Sequence, residues 1–247
     1  AYIYRDILHQ DYAYYDIGEN QVNEEQQRIE QAFEEVREDL RHSVGRVEQE
    51  LNAELAEIFR AQEMLLSDPE LVKEIGQELE HELINAEEII QRVLRRWEKK
   101  FRDMEDAILK QRAEDIADLS RRLLRSLQGI HAHELEDLPP NTVLVAHQLL
   151  PSDTVFLSRE STVGVVVECG GTGSHAALLT RALGIPAVGQ IPNVLEKIRP
   201  DEQVLVNGNA QTVICSPNTE ALKTFERQMK HYHAHLQRAQ QQSHEPA

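Results

Sequence analysis

One histidine stands at the end of a glycine-rich stretch and at the start of a helical pattern. Residues 170–175 read Gly-Gly-Thr-Gly-Ser-His, and the apolar residues after His175 recur at helical spacing. The first amides of a helix lack intrahelical partners and carry the positive end of the helix dipole. An anion on the His175 ring would therefore meet backbone N–H groups, which suits a phosphoryl group carried on nitrogen. The same dipole disfavours imidazolium, so we expect a neutral, nucleophilic ring near neutral pH.

The segments on either side of the glycines place this histidine between a strand and a helix. The β-branched run at 163–167 predicts a buried strand that stops at the glycines. Gly184 and Pro186 predict the end of the helix that begins near His175. A glycine turn before an ordinary helix, with the histidine satisfying a local carbonyl, is an alternative interpretation, because glycine loops are common.

The longer pattern resembles the phosphohistidine signature of phosphoenolpyruvate-utilising enzymes. It comprises Gly-Gly-x-x-Ser-His-Ala-Ala at 170–177 and Thr-Arg-Ala-Leu-Gly-Ile-Pro-Ala-Val-Gly at 180–189. Two helical segments, at 57–71 and 109–119, resemble one branch, the enzyme I family of the sugar phosphotransferase system, in its amino-terminal half. Dikinase-type relatives share the histidine loop but are not expected to carry these helical segments. The likeness covers nearly the whole chain.

The resemblance implies roles for individual residues. His175 would carry the phosphoryl group, with Ser174 and Thr154 beside it. The implied phosphate loop comprises Gly170, Gly171, Thr172 and Gly173. The residues that would contact a histidine-containing phosphocarrier protein are Glu54, Met64, Leu65, Asp68, Glu70, Leu71 and Arg112. Without the resemblance, the apolar members of this last set would be interpreted as core and its acids as a solvated face.

Thr154 matches a family threonine that pairs with the reactive imidazole in the resting enzyme, although a cap for a short local helix fits equally well. Two positions depart from the family. Gln62 stands where many relatives have histidine on the docking helix, which puts partner affinity or choice in question. Gly173 replaces a threonine whose hydroxyl can approach the phosphoryl group. We expect Gly173 to make the loop more compliant and the reaction slower, specialised, or partly rebuilt by Thr172 and Ser174.

A two-step phosphoryl relay is the activity that the resemblance implies. His175 would accept a phosphoryl group from phosphoenolpyruvate bound on a separate carboxy-terminal barrel and pass it to a histidine on the carrier. Because the two sites lie on different modules, the histidine domain must swivel between them. Mg²⁺ is expected only with the barrel of the full-length enzyme, and we expect no metal or cofactor on this chain. We predict phosphate exchange with the phosphorylated carrier and no self-phosphorylation from phosphoenolpyruvate.

Two other functions stay open on the sequence. One is the phosphohistidine domain of a dikinase-type enzyme, which the inserted helical segments disfavour. The other is a noncatalytic helical interaction module with a degenerate loop, which Gly173 alone favours.

Helical patterns interrupt a strand-and-helix unit, and this predicts three parts. An α/β phosphohistidine domain comprises residues 1–20 and 141–218, an inserted all-α bundle of helical hairpins comprises 21–133, and a linker helix at 219–247 leads towards a barrel that this sequence lacks. The fold class is thus α+β/α, with a swivelling β/β/α domain. Ala1–Tyr4 resembles a strand entered midway, since relatives usually begin with a Ser-Pro-Gly turn, so we expect a trimmed chain.

A regular apolar stripe opens the helical block and predicts one long rod. Its members fall in three sets spaced eleven residues apart: Ile29, Phe33 and Val36; Leu40, Val44 and Val47; Leu51, Leu55 and Ile58. A spacing of eleven residues is close to the natural helix period, so one face can pack continuously. Helix starts are predicted at Asn23, Asp68 and Asn85, and a helix end at Gly129.

Composition limits the partners and the compartment. The chain has 26 basic and 43 acidic residues and a net charge of -17, which argues against nucleic acid or an anionic membrane and favours a partner with a basic face. Cys169 and Cys215 end apolar runs, and we interpret them as reduced core residues. No apolar stretch approaches membrane-spanning length. We expect a cytoplasmic and monomeric protein.

Three histidines alternate in the tail, at His231, His233 and His235. A strand would aim all three at one metal ion, whereas a helix would separate successive members by about 200°. We favour a solvated linker helix.

Overall fold

The computed structural model describes residues 1–5 and 14–230 of the chain. In this part of the chain, a bundle of long helices packs beside a small parallel sheet. The long helices are α1 (Val22–Glu50), α2 (Ala53–Leu66), α3 (Pro69–Glu82), α4 (Ala86–Arg102) and α5 (Ala107–Leu127). The short helices are α6 (Pro151–Thr154), α7 (His175–Ala182) and α8 (Val194–Lys197), and residues 219–230 are also helical. No helix of the described residues is long and apolar enough to cross a membrane.

The single rod predicted from the apolar stripe is wrong, because the helix breaks at Leu51 and Asn52. Asn52 leaves the helical conformation and its side chain accepts a hydrogen bond from the Leu55 amide at 2.8 Å, so it caps a new helix. Helix α2 then runs back along α1. The ion pair between Arg41 and Glu63, at 2.9 Å, shows the antiparallel pairing. The third set of the stripe therefore packs in a hairpin.

Predicted helix ends fared differently. Asp68 caps α3 by accepting from the Glu70 amide at 2.8 Å, as predicted. Gly129 follows α5 with a φ of +67°, a left-handed conformation that favours glycine. The predicted cap at Asn23 is not found, because Asn23 already lies inside α1. This helix begins at Val22, after a 3-10 turn at Glu19–Gln21.

Asn85 precedes α4 as predicted, but its side chain does not cap that helix. The Ala86 amide instead donates to Glu25 Oε2 at 2.8 Å, and Glu25 belongs to α1. A residue distant in sequence thus replaces the local cap, which no local pattern could predict.

A four-stranded parallel sheet has the strand order β1-β2-β3-β4. Its strands are β1 (Tyr2–Tyr4), β2 (Thr142–Ala146), β3 (Thr162–Val167) and β4 (Ala187–Val188). Tyr2 pairs with Leu144, so the helices α1 to α5 lie in the chain between two adjacent strands. Strands β5 (Val204–Asn207) and β6 (Thr212–Cys215) form an antiparallel pair. The division of the chain into three domains stays a prediction.

The helical bundle (α1 to α5) and the sheet unit (β1 to β6 with α6 to α8) share a packed boundary. Leu179 of α7 is buried in the same apolar cluster as the bundle residues, and Val155 packs against that cluster. The helix that starts at the histidine is therefore docked on the bundle.

The two cysteines are free, but both are exposed, so the expectation of core residues is wrong. Each lies where an apolar strand has already left the interior, since Cys169 follows β3 and Cys215 ends β6. The three tail histidines lie outside the described residues.

Candidate functional site

His175 is the first residue of α7, directly after the glycine loop. Gly170 turns the chain with a φ of +114°, a conformation that favours glycine. The Ser174 side chain caps the helix by accepting from the Ala177 amide at 3.2 Å. Strand β3, the turn and the helix start confirm the local structure that the sequence predicts.

The glycine loop is exposed at residues 171–173 and is held by two side chains through its carbonyl groups. Arg181 of α7 donates to the Thr172 carbonyl at 3.1 Å. Gln111 of α5 donates to the Gly173 carbonyl at 3.3 Å, so a helix of the bundle contacts the loop directly. These contacts leave the exposed face of the loop open to solvent.

The imidazole itself faces a carboxylate of the bundle. His175 Nδ1 lies 2.9 Å from Asp115 Oδ1, and the side chains are 16% and 3% exposed. Burial lowers the pKa of His175, and so does the charge of Arg112. Asp115 and Glu114 raise this pKa by more than burial and Arg112 lower it, so the net pKa is above its usual value. The two carboxylates that face the ring thus act against the lowering of the pKa expected from the helix dipole, and the neutral ring stays a prediction.

The same contact assigns different roles to the two ring nitrogens. A hydrogen bond from Nδ1–H to Asp115 fixes the neutral tautomer that leaves Nε2 with its lone pair. No hydrogen bond to Nε2 occurs within the described residues. Nε2 is thus the nitrogen suited to attack phosphorus once the ring is unprotonated and accessible.

Thr154 does not bond the imidazole, contrary to the expectation from the resemblance. Its hydroxyl donates to the Pro151 carbonyl at 2.7 Å within the single turn of α6, and the residue is buried. The Pro151 carbonyl three residues back satisfies the hydroxyl of Thr154, and the imidazole pairs with Asp115.

A buried polar network lies behind Asp115. Gln62 of α2 donates from Nε2 to Asp115 Oδ1 at 3.4 Å and to Asp118 Oδ2 at 3.1 Å. Asp118 also accepts from the backbone amide of Ser152 at 3.0 Å, and its other oxygen lies 3.4 Å from Arg121. Two carboxylates of α5 are therefore joined through one amide side chain.

Arg121 carries this network into the sheet unit. The guanidinium is buried and lies 2.9 Å from Asp153 of α6, which also accepts from the Tyr4 hydroxyl of β1 at 2.8 Å. Burial raises the pKa of Asp153, but Arg121 and His133 lower it to about 2 overall. Asp153 is thus ionised and paired across the boundary between α5 and the sheet.

The residues implied as carrier contacts divide by exposure. Met64 is 74% exposed, Glu54 and Glu70 are exposed, and Asp68 and Arg112 are partly exposed. Leu65 and Leu71 are buried in the bundle core, so the structure contradicts a role for them as surface anchors in this conformation. Both occupy the inward face of amphipathic helices, where apolar residues normally lie.

Gln62 is fully buried, and so cannot contact a partner directly. The departure from the family at this position therefore cannot change partner choice through direct contact.

Sequence reasoning missed Asp115, Glu114, Asp118, Arg121 and Asp153. The signal for the first three was present in α5, where acids occupy positions beside the apolar residues of the buried face. A buried acid needs a hydrogen-bond partner, but the identity of that partner depends on how α5 packs against α2, α6 and α7.

The comparisons with known proteins agree with one another. The family described as "PEP-utilising enzyme, N-terminal" matches residues 1–112, and "PEP-utilising enzyme, mobile domain" matches residues 138–211. The chain is 34% identical over 212 residues to the phosphoenolpyruvate-protein phosphotransferase of Priestia megaterium, covering 86% of this chain and 37% of that protein. The Enterococcus faecalis protein of the same name is 32% identical over 206 residues, with 83% and 36% covered. The chain thus spans little more than a third of these relatives.

Two solved structures share the fold, with helices and a small parallel sheet. The solution structure of Enzyme I (nEIt) matches with a TM-score of 0.71 and 30% identity over 90% of each chain. The N-terminal domain of Enzyme 1 - Nitrogen matches with a TM-score of 0.60 and 28% identity, over 93% of this chain and 94% of that one.

Proposed function

The chain belongs to the PEP-utilising enzymes and matches the N-terminal part of Enzyme I, and from this membership we propose that it carries a phosphoryl group on His175 within a phosphoenolpyruvate-protein phosphotransferase. The observation that carries the proposal is the position of the ring. His175 begins α7 after a left-handed glycine turn, and Asp115 holds Nδ1 so that Nε2 retains the lone pair. The chain is then the phosphohistidine and carrier-docking half of such an enzyme.

The transfer step balances without a proton donor in the site. The nitrogen–phosphorus bond of a phosphohistidine on the carrier breaks as a bond forms between phosphorus and His175 Nε2. The products differ from the reactants only in which histidine holds the phosphoryl group. Nδ1 keeps its proton throughout. Backbone amides of the exposed loop at 171–173 would stabilise the equatorial oxygens.

The ring is partly buried, and we infer a swivelling domain from the separation of the two transfer sites. His175 is only 16% exposed, and Leu179 of the same helix is buried against the bundle. Arg112 of α5, which we propose as a carrier contact, lies one turn from Asp115, so a carrier docked there approaches His175 with α7 in place, and the ring has to turn from Asp115 to present Nε2. Transfer from phosphoenolpyruvate on a separate barrel requires the unit that carries α7 to swivel away from the bundle, and the helical segment at 219–230 would lead to that barrel.

A docking surface for a histidine-containing phosphocarrier is proposed on the bundle. It comprises Glu54, Met64, Asp68, Glu70 and Arg112, which combine an exposed apolar anchor with charges around it. The net charge of -17 favours a basic contact face on the partner.

Mg²⁺ belongs, in this proposal, to the phosphoenolpyruvate site outside this chain. Within the described residues no group of three or more His, Cys, Asp or Glu side chains could hold a metal ion. We place the protein in the cytoplasm, where the carrier and phosphoenolpyruvate are available.

Mass spectrometry after incubation with a phosphorylated carrier tests the proposal. One acid-labile phosphate on a peptide containing His175 is expected, and His175→Gln should remove it without loss of helical signal. Phosphoenolpyruvate with Mg²⁺ should leave the chain unlabelled. Absence of label from carriers of the sugar and nitrogen-related branches alike would contradict the proposal and favour a noncatalytic module. Direct labelling by phosphoenolpyruvate alone would contradict the division of the sites.

A further inference from the structure

Glu114 of α5 is a partly buried carboxylate beside the reactive histidine. It accepts a hydrogen bond from the backbone amide of His175, the residue with which α7 begins, and it also interacts with the charge of the imidazole. The next residue, Asp115, pairs with Nδ1 of the same ring at 2.9 Å. Two consecutive residues of one helix therefore hold the backbone and the side chain of His175.

Groups of the protein itself already engage several amides at the start of α7. The Ser174 amide donates to the Gly171 carbonyl at 3.1 Å, and the Ala177 amide donates to the Ser174 side chain at 3.2 Å. The amide of His175, which lies between them in the chain, is engaged by Glu114. A carboxylate thus occupies one of the donors that the positive end of a helix offers to an anion.

The surroundings of Glu114 disfavour its negative charge. Burial raises the pKa of Glu114, the ring and the backbone amide of His175 lower it, and Asp115 raises it, so that the net pKa is above its usual value. His175 and Asp115 are the charged groups that act on Glu114 within the described part of the chain, while Arg112 of the same helix acts on the ring. A further negative charge on the ring would raise the pKa of Glu114 again.

We propose that Glu114 couples phosphoryl transfer at His175 to the uptake of a proton. The inference rests on the proposed function, because the phosphoryl group on His175 is the added negative charge. It requires no departure of α7 from the bundle, since Glu114 is held at the backbone of His175 whichever way the ring turns.

The coupled step balances in charge and in protons. A phosphoryl group brings about two negative charges to a ring that already faces Glu114 and Asp115. As the bond from phosphorus to Nε2 forms and the bond to the carrier breaks, Nδ1 keeps its proton and Glu114 takes a proton from the solvent. The proton returns to the solvent when the phosphoryl group leaves. Because the phosphorylated chain binds more protons, transfer onto His175 is favoured at lower pH, between the two pKa values of Glu114.

Titration of the Glu114 carboxyl carbon by NMR tests the coupling in the native chain. Its pKa should rise by about one unit when the chain is phosphorylated by the phosphorylated carrier. The pKa of Glu24, at an exposed position in the first turn of α1, should stay the same in both samples. An unchanged Glu114 pKa in the phosphorylated chain would overturn the inference.

The variant Glu114→Gln keeps the shape of the side chain and an acceptor for the His175 amide but removes the charge. Above the pKa of Glu114, the equilibrium with the phosphorylated carrier should shift towards the phosphorylated chain by about tenfold, the factor that one pKa unit represents. The difference from the native chain should disappear as the pH falls below that pKa. Glu24→Gln is the matched control, and Glu114→Ala makes the same change in charge if Glu114→Gln fails to fold. A shift that is equal at every pH would indicate a merely structural role and would overturn the inference.

One measurement separates this inference from the proposed function, because it needs no phosphoryl donor. The pKa of His175 should fall in unphosphorylated Glu114→Gln, since Glu114 is one of the groups that raise it. An unchanged His175 pKa would overturn the inference and leave the function standing. A native chain that accepts no phosphoryl group would instead contradict the proposed function, and the coupling with it, whatever the titration shows.

Discussion

Asp115→Asn should lower the pKa of His175 by about one unit. The substitution keeps the shape of the side chain and its acceptor oxygen but removes the charge that faces Nδ1 at 2.9 Å. A hydrogen bond to a charged group contributes about 1.5–3 kcal/mol and a neutral one about 1 kcal/mol, so the difference is about 0.5–2 kcal/mol. At about 1.4 kcal/mol per unit, this corresponds to about one unit.

The direction with pH follows from the raised pKa of the docked histidine. A group whose pKa is raised in the docked state stabilises that state fully below its free pKa, and the contribution is lost as the pH rises through the docked pKa. Docking of α7 should therefore weaken as the pH rises from the free pKa of histidine through the raised pKa of the docked ring. In Asp115→Asn this dependence should nearly vanish, because the neutral amide binds both forms of the ring more evenly.

Titration of the His175 ring nitrogens by NMR measures the shift, and amide chemical shifts of α7 follow docking in the same samples. Asp103→Asn, at an exposed position after α4, makes the same change in net charge and should leave the pKa of His175 unchanged. An unchanged or higher pKa in Asp115→Asn would refute the role of Asp115, and an equal fall in Asp103→Asn would trace the shift to overall charge.

Three further predictions concern the network and the loop. Arg121→Met should destabilise the chain by about 3–5 kcal/mol in denaturant unfolding, since it removes the buried cation that Asp118 and Asp153 share, whereas exposed Arg102→Met should cost little. Because the pKa of Asp153 is lowered to about 2, ionised Asp153 stabilises the folded chain above its unfolded pKa. About 2 kcal/mol of the free energy of unfolding should be lost as the pH falls from about 4 to about 2, and unfolding measured across this pH range would show it. Gly173→Thr should leave Tm nearly unchanged, because a Cβ there would meet nothing within 4 Å. The same variant should speed labelling from the carrier about fivefold through one added hydrogen bond to the phosphoryl group, and an unaltered rate would contradict this.

Local patterns in the sequence predicted the elements around the histidine because each depends on nearby residues. The glycine turn and the start of α7 at His175 follow from backbone preferences within a few positions. The cap of α3 by Asp68 has the same origin.

Errors occurred where contacts between distant segments decide. The apolar stripe through Leu51 and Leu55 continues the helical period, yet Asn52 breaks the helix because folding α2 back on α1 buries more apolar surface than a straight rod would. The pairing of His175 with Asp115 joins two elements separated by sixty positions, which no helical or strand pattern in one sequence encodes.

The contact between Asp115 and His175 has two opposite effects on the nucleophile. It fixes the tautomer in which Nε2 holds the lone pair, but it also raises the pKa and limits the exposure of the ring. Turning of the ring away from Asp115 would remove a carboxylate that raises its pKa and would expose Nε2 at the same time. A lower pKa and greater access are therefore expected to arise together, and the helix dipole at the start of α7 acts in the same direction.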